Sequence, residues 1–316
     1  MSADTGEPVV VPEVPVVPVV PVAPVVSVVI VTWNSAPVLP GCLTSLQAEL
    51  PAGSEIVVVD NASSDDTVAV VQALAPAALL VVNDTNRGLA AANNQGMVAA
   101  RGASFLICNP DVVFSPGSVR AMLDVLGRHD RAAWVGPKFI HEDGALQTSV
   151  GNLPSLAEGL LGRQVARRRA PDSADGFWWD GWSHDEERAV GRTFECAYVV
   201  RRRAVEEVGM QDERFVLDWE GFDWADRFGR AGWELWFAPE AEVMHLGGTS
   251  RRQVPFRSII SQHRGMYLYF SGRSSAVWKP FLAAAFSLRA LFKLAVTRVG
   301  VPLYSWGHRD RRAGSA

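Results

Sequence analysis

The sequence predicts an α/β protein built on a mostly parallel sheet with helices on both faces and a helical extension at the C-terminal end. Three observations carry this prediction. Apolar, β-branched runs recur at Val25–Val31, Ile56–Val59, Leu79–Val82 and Phe105–Cys108. Helical patterns separate them at Val38–Glu49, Asp66–Leu74 and Leu89–Ala100. The runs are also too uniformly apolar for strands with one wet face, which suits strands covered on both sides. Strands and helices alternating at this spacing form βαβ units with right-handed crossovers, whose ligands bind where strands end in loops.

With 316 residues, 48% of them hydrophobic and 20% charged, the chain has material for a large core and resembles neither a disordered polyelectrolyte nor a coiled coil. A net charge of -4 gives no overall field to attract a nucleic acid. Cys42, Cys108 and Cys196 are far apart and odd in number, which argues for buried thiols in a reducing cytoplasm rather than for disulfides or thiolate zinc. From Pro8 to Val26 valine and proline alternate, so neither helix nor sheet is available and residues 1–25 are expected to be a disordered tail. Its acidic flank, Asp4 and Glu7, differs from the basic start of an export signal.

Residues 26–250 are expected to form one catalytic domain, with a donor half over 26–150 and an acceptor half over 151–250. After Gly151 the pattern loosens into the Arg- and Trp-rich stretch Arg163–Glu187, and strands return near Phe194–Val200 and Trp233–Ala238. Residues 251–316 read as helical. Val277–Trp306 is apolar nearly all round, broken by Arg289, Lys293 and Arg298. Its charge-free part falls far below the roughly 20 residues that cross a bilayer. Two readings remain for it: a helix lying on an anionic membrane surface, or one packed against the protein's own core or a second subunit.

Polar groups collect where the predicted strands end. The first strand runs into Thr32-Trp33-Asn34-Ser35, the second into Asp60-Asn61-Ala62-Ser63-Ser64-Asp65-Asp66-Thr67, and the fourth into Asn109-Pro110-Asp111. Ser64, Asp65 and Asp66 are good N-caps for the next helix, and capping explains them. Asp60 closes an apolar strand before that helix starts, where a carboxylate can accept from the N–H of a pyrimidine base. The loop Asn86-Arg87-Gly88-Leu89 opens a helix that carries Asn93 and Asn94. It fits an ordinary capped helix, and it also fits a nucleotide diphosphate met by Arg87 and the helix amides.

Taken in order, VSVVIVTWNS, EIVVVDNASSDDT, NRGLAAANNQG and LICNPDVV resemble the amino-terminal half of family 2 glycosyltransferases of the GT-A fold, and most of all the rhamnosyltransferase-like members. The resemblance spans about Val26 to Ser250. It implies transfer of a sugar from a nucleotide-sugar to a hydroxyl with inversion, and a donor site that includes Thr32, Asn34, Asp60, Arg87, Asn94, Asn109 and Asp111. A nucleotide diphosphate leaving group develops negative charge that a divalent cation can meet. Where metal-dependent members of the fold carry Asp-x-Asp, this chain has Asn109-Pro110-Asp111, with one carboxylate. A lone histidine after a strand is more often structural. The resemblance nevertheless makes His245 the partner of Asp111 as a metal ligand, and such oxygen and nitrogen donors suit Mg²⁺ or Mn²⁺.

Inversion also needs a carboxylate at the acceptor hydroxyl. The acids concentrate in Asp218-Trp219-Glu220-Gly221-Phe222-Asp223. Family members commonly show Glu-Asp-x-Asp here and use the second acid as base; in this chain that position is Gly221. Glu220 is therefore the first candidate and Asp218 the second, while Asp223 is expected to hold the loop by accepting from Arg227 or a backbone amide. Arg201 and Arg202 read as a solvated helix start. Trp178, Trp179 and Trp182 fit either an acceptor-stacking cluster or a satellite core, and Arg163, Arg167, Arg168 and Arg169 either an acceptor pyrophosphate site or a solvated face.

The resulting expectation is a cytoplasmic, peripherally membrane-bound enzyme at the inner face of the plasma membrane. It would move rhamnose from a dTDP donor to a lipid-linked or polysaccharide acceptor in cell-envelope synthesis. The alternatives are a UDP-hexose or UDP-N-acetylhexosamine transferase and a non-catalytic carbohydrate-binding relative. A nucleotidyltransferase is disfavoured, because TWNSAPV stands where such enzymes carry a glycine-rich basic loop.

Overall fold

A computed structural model of the chain describes residues 25–161, 179, 181–247 and 255–298. Strand β1 (Ser27–Thr32) is buried at every position. Val28 and Ile30 enter the core on one face of the sheet, Val29 and Val31 the core on the other. Helix α1 (Leu39–Glu49), β2 (Glu55–Asp60), α2 (Thr67–Leu74), β3 (Leu79–Val82), α3 (Leu89–Ala99) and β4 (Ser104–Cys108) follow as the spacing predicts. All four strands are parallel, and Thr32 stands opposite Asp60 at the common edge.

The next elements are β5 (Val112–Phe114), α4 (Ser118–Arg128), β6 (Ala132–Ile140), β7 (Leu146–Gln147), β8 (Val150–Gly151) and α5 (Leu156–Leu161). After them come β9 (Arg188–Val190), β10 (Arg192–Thr193), β11 (Ala197–Arg201), α6 (Arg202–Val208), α7 (Glu220–Arg230) and β12 (Glu234–His245). The main sheet runs β3-β2-β1-β4-β11-β6-β12-β5. Strand β11 is antiparallel to both neighbours, and β12 pairs with β6 in parallel and with β5 antiparallel. Helices α1, α2 and α4 cover one face and α3, α6 and α7 the other. Where α3 crosses β1, a Cβ on Gly96 would lie 2.3 Å from Val29 Cγ1, so only glycine permits this approach.

Two expectations need correcting here. Arg201 and Arg202 do not form a solvated start to α6. Arg201 donates to the carbonyls of Leu126, Ala132 and His129, satisfying the end of α4, and Arg202 donates to Ala100 and Gly102 while lying over the Phe105 ring. The strand expected over Trp233–Ala238 continues to His245, so this histidine ends a strand instead of following one.

Helices α8 (Pro255–Gly272) and α9 (Lys279–Arg298), joined by a 3₁₀ turn at Ala276–Trp278, pack on each other and on the segment before α7. A third apolar cluster, Phe215, Trp219, Met266, Tyr269, Phe270, Leu282 and Phe286, joins them. Arg273, just after α8, pairs with Asp226 at 2.5 Å and with Asp223 at 3.3 Å, so the acidic helix is held from the C-terminal side by charge as well as packing. By length and composition, residues 276–298 could cross a membrane, which differs from the shorter apolar stretch expected. Inside that span Arg289 donates to the Gly159 carbonyl and Lys293 to Gln262 Oε1 at 3.2 Å. The valine–proline tail up to residue 24 and the end of the predicted helix beyond 298 lie outside the described residues.

Candidate active site

The ends of β1 and β2 are joined by a polar network. Asp60, 1% exposed, accepts from Thr32 Oγ1 at 2.9 Å, from Ser63 Oγ at 2.6 Å and from the Ser63 amide at 2.9 Å. Asn34 has φ 47° and its Oδ1 accepts from the Ser64 amide at 2.8 Å. Asp65 accepts from the amides of Thr67 and Ala36, so it caps α2 while tying the loop after β1 to the loop after β2. Partial burial tends to raise the Asp65 carboxyl, and the bonds it accepts from Thr67 and Ala36 outweigh this and hold it below the usual carboxylate range.

The loop before α3 differs from the phosphate-binding reading. The Arg87 amide donates to Asn61 Oδ1, the Gly88 amide to Asn86 Oδ1 and the Leu89 amide to the Val216 carbonyl. These donors are engaged within the protein, because the loop packs against residue 216 and must satisfy its buried amides there. The Arg87 side chain is exposed and makes no hydrogen bond or ion pair among the described residues. Asn94 does not face the strand ends either. Its amide donates to the Gln211 carbonyl and Glu213, and it accepts from the Gln211 amide. Asn94 therefore braces α3 against the acceptor half.

Asp111 and His245 come together through strand register. Strands β5 and β12 are antiparallel with His245 opposite Val112, and the Leu246 amide donates to the Asp111 carbonyl at 3.0 Å. His245 Nε2 lies 3.7 Å from Asp111 Oδ1 and 3.4 Å from Cys196 Sγ. Asp111 is 7% exposed, and its Oδ1 has no hydrogen-bond partner. A buried carboxylate oxygen left without a donor beside an imidazole nitrogen is the donor set that a hard divalent cation takes. Among the described residues no group of three or more His, Cys, Asp or Glu side chains is gathered as a metal site. Asn109 is half-buried; its amide donates to the Cys196 carbonyl at 2.7 Å, which fixes the Asn-Pro-Asp turn to the start of β11.

The acidic segment forms the opposite wall. Asp218 and Trp219 both have positive φ, 66° and 75°, a conformation that non-glycine residues hold only when packing imposes it. Trp219 supplies that packing by stacking among Phe222, Tyr269 and Phe270. Glu220 starts α7 and is 4% exposed; Asp218 is half-buried. Asp223 accepts from Arg227 at 2.8 Å and so holds the loop. Sequence reasoning passed over Glu195, a half-buried acid just before β11. One acid in an otherwise apolar pre-strand segment was the available signal. Trp179 and Trp182 pack edge to face at 5.5 Å under Arg188, and Trp182 meets Phe237 of β12, so both belong to a satellite of the core. Trp178 and the arginines at 163 and 167–169 lie outside the described residues.

Comparison with known proteins agrees with this layout. The model of glycosyl transferase family 2 matches residues 27–179. Over 266 residues the chain is 30% identical to the N-acetylglucosaminyl-diphospho-decaprenol L-rhamnosyltransferase of Mycobacterium tuberculosis, covering 79% of this chain and 85% of the relative. Among solved structures, a mannosyltransferase of Pyrobaculum calidifontis in complex with GDP-Man and Mn²⁺ superposes with TM-score 0.53 at 18% identity, covering 94% of this chain and 78% of that one. GalNAc-T7 with UDP, GalNAc and Mn²⁺ also gives TM-score 0.53, at 16% identity; 71% of this chain matches 44% of that longer one. The strand-end network, the paired Asp111 and His245 and these likenesses agree: the chain belongs to glycosyl transferase family 2, among its rhamnosyltransferase-like members, and is a glycosyltransferase.

Proposed function

We propose that the protein transfers rhamnose with inversion from dTDP-rhamnose to a hydroxyl of a polyprenyl-diphosphate-linked sugar in cell-envelope synthesis. The observation that carries this reading is the Asp111–His245 pair, 3.7 Å apart, at the same sheet edge as the buried Asp60 network. The similarity to a rhamnosyltransferase over most of both chains supports the choice of sugar and acceptor.

Asp60 and Thr32 set the turn that receives the nucleobase. Asp60 Oδ2 accepts one bond, from the Ser63 amide, and so keeps acceptor capacity for the N3–H of thymine. Asn34 shapes the same turn, and the Arg87 guanidinium, exposed before α3, would meet a phosphate oxygen. Asp111 and His245 would hold Mg²⁺ or Mn²⁺, with Asn109 adding a neutral polar group. When bound, the cation neutralises charge on the departing diphosphate. Inversion also needs a carboxylate to take the proton of the acceptor hydroxyl, and Glu220 and Asp218, near the start of α7, are the acids the sequence offers for it.

The direct test incubates the protein with Mn²⁺, a polyprenyl-diphosphate N-acetylglucosamine acceptor and a panel of nucleotide-sugars. Rhamnose transfer from dTDP-rhamnose is expected to exceed transfer from UDP-hexoses and UDP-N-acetylhexosamines. Faster transfer from a UDP-sugar reassigns the donor, and nucleotide binding with no turnover of any donor makes the chain a non-catalytic relative.

We also propose a peripheral position at the cytoplasmic face of the membrane. Helix α9 and the turn before it expose Val277, Trp278, Phe281, Leu288, Leu291 and Phe292, each at 59–68%. The charged residues of α9 are all basic: Lys279, Arg289, Lys293 and Arg298. Apolar side chains with nearby cations favour an anionic lipid surface. Vesicles containing phosphatidylglycerol are expected to co-sediment the full chain, less so at high salt, and to lose a variant truncated before Val277. Equal sedimentation of the truncated form rejects the assignment.

A further inference from the structure

We propose that Glu195 is the general base of the transfer, its carboxylate standing in the space that a side chain at position 221 would take. This inference rests on the inverting-transferase reading and names the base that reading leaves open.

Gly221 calls for an explanation of its own. It is the second residue of α7, has no positive φ, and so gains nothing from glycine's conformational freedom. A helical glycine costs about 1 kcal/mol relative to alanine. The reason for it is steric. A Cβ built on residue 221 would lie 2.2 Å from Glu195 Cδ and 2.4 Å from Glu195 Oε2, closer than real carbons approach. An acid at 221 and the Glu195 carboxylate as it stands claim the same volume, so Glu195 would have to turn aside, and this chain holds its carboxylate on residue 195.

The position of Glu195 suits the role. Its neighbour Cys196 touches His245 Nε2 through Sγ at 3.4 Å and accepts from the Asn109 amide through its carbonyl at 2.7 Å. Glu195 therefore enters the site from the element that borders the Asn109-Pro110-Asp111 turn, and it faces the first turn of α7 on the other side. The competing acids are less suited. Asp223 is paired with Arg227 and Arg273, Asp226 with Arg230 and Arg273, and Glu220 is 4% exposed. Glu195 is half-buried, as is Asp218, but only Glu195 borders the Gly221 position. Both Glu195 and Glu220 act on the buried Tyr198 hydroxyl: burial first, then these two charges, push that phenol well above its ordinary value.

In the reaction the Glu195 carboxylate takes the acceptor hydroxyl's proton as that oxygen bonds to the anomeric carbon. The bond from that carbon to the diphosphate oxygen breaks, its electron pair leaves with the nucleoside diphosphate, and the proton passes from Glu195 to solvent.

The test is a carboxylate exchange measured by rhamnose transfer with Mn²⁺, alongside calorimetric binding of dTDP with Mn²⁺. Glu195→Gln is expected to lose about 10²–10⁴-fold in kcat with donor KM nearly unchanged. Gly221→Asp alone is expected to be impaired, since two side chains compete for one volume. Glu195→Ala combined with Gly221→Asp is expected to regain on the order of tenfold or more over Glu195→Ala, a recovery that a merely structural Glu195 would not allow. The inference is overturned if Glu195→Gln keeps more than about half of the wild-type kcat, which returns the role to Glu220 or Asp218. It is likewise overturned if the double variant is no better than Glu195→Ala. A wild-type protein that binds dTDP but transfers no sugar overturns the activity itself, and this inference with it.

Discussion

Asp111→Asn abolishes Mn²⁺-dependent binding of dTDP and lowers turnover on the order of 10³-fold or more, corresponding to several kcal/mol of lost charge stabilisation at the leaving group. The substitution keeps the shape of the side chain and the backbone bond from Leu246 to the Asp111 carbonyl. It removes the only carboxylate in the Asn109-Pro110-Asp111 turn and leaves His245 without an anionic co-ligand. Folding should not suffer. The wild-type Oδ1 is buried with no hydrogen-bond partner, so a neutral amide relieves desolvation, and the metal-free variant should melt at or above the wild-type temperature. Calorimetry with dTDP, with and without Mn²⁺, together with a thermal melt, checks both halves. Wild-type affinity in the presence of Mn²⁺ would remove Asp111 from the metal site, and a lower melting temperature would make it a structural residue.

Trp219→Ala is the second large effect, and it acts through the acceptor wall. Trp219 is 5% exposed and packs on Tyr269 and Phe270 of α8, where Gly265 leaves room: a Cβ at 265 would come within 2.8 Å of Trp219 Cδ1. Truncating a buried tryptophan costs about 3–5 kcal/mol. Part of that loss falls on the turn, since the packing of this ring holds Asp218 and residue 219 at positive φ and sets the first residue of α7. The expected result is a lower urea midpoint and a drop in kcat on the order of 10²-fold, as misplaced catalytic groups produce. Binding of dTDP should be preserved, because the β1 and β2 ends belong to a separate network. A variant whose kcat is unchanged despite lost stability would show that the C-terminal helices do not position the acid loop.

How much of this was legible in the sequence varied along the chain for physical reasons. The donor half was readable because its strands are buried on both faces and its helices have regular apolar spacing, so local pattern and tertiary environment agree. Strand β6 was not anticipated: Gly136 and Pro137 interrupt it, and only in the fold is the glycine explained, since a Cβ there would meet Thr193 at 2.4 Å. Helix α4 was also passed over. Asn94 and the Leu89 amide looked available for a donor, yet both are engaged with residues 211–216, which the sequence places more than a hundred positions away.

The sequence by itself determined the class of the protein, the four parallel strands and the polar residues at their ends, because these depend on local periodicity and on motifs contiguous in the chain. Only the tertiary structure decided which distant groups share a site. The antiparallel register of β5 and β12 sets Asp111 beside His245, and the approach of β11 to α7 fills the space above Gly221 with Glu195. Both follow from strand pairing and packing between segments far apart in sequence, which no local pattern encodes.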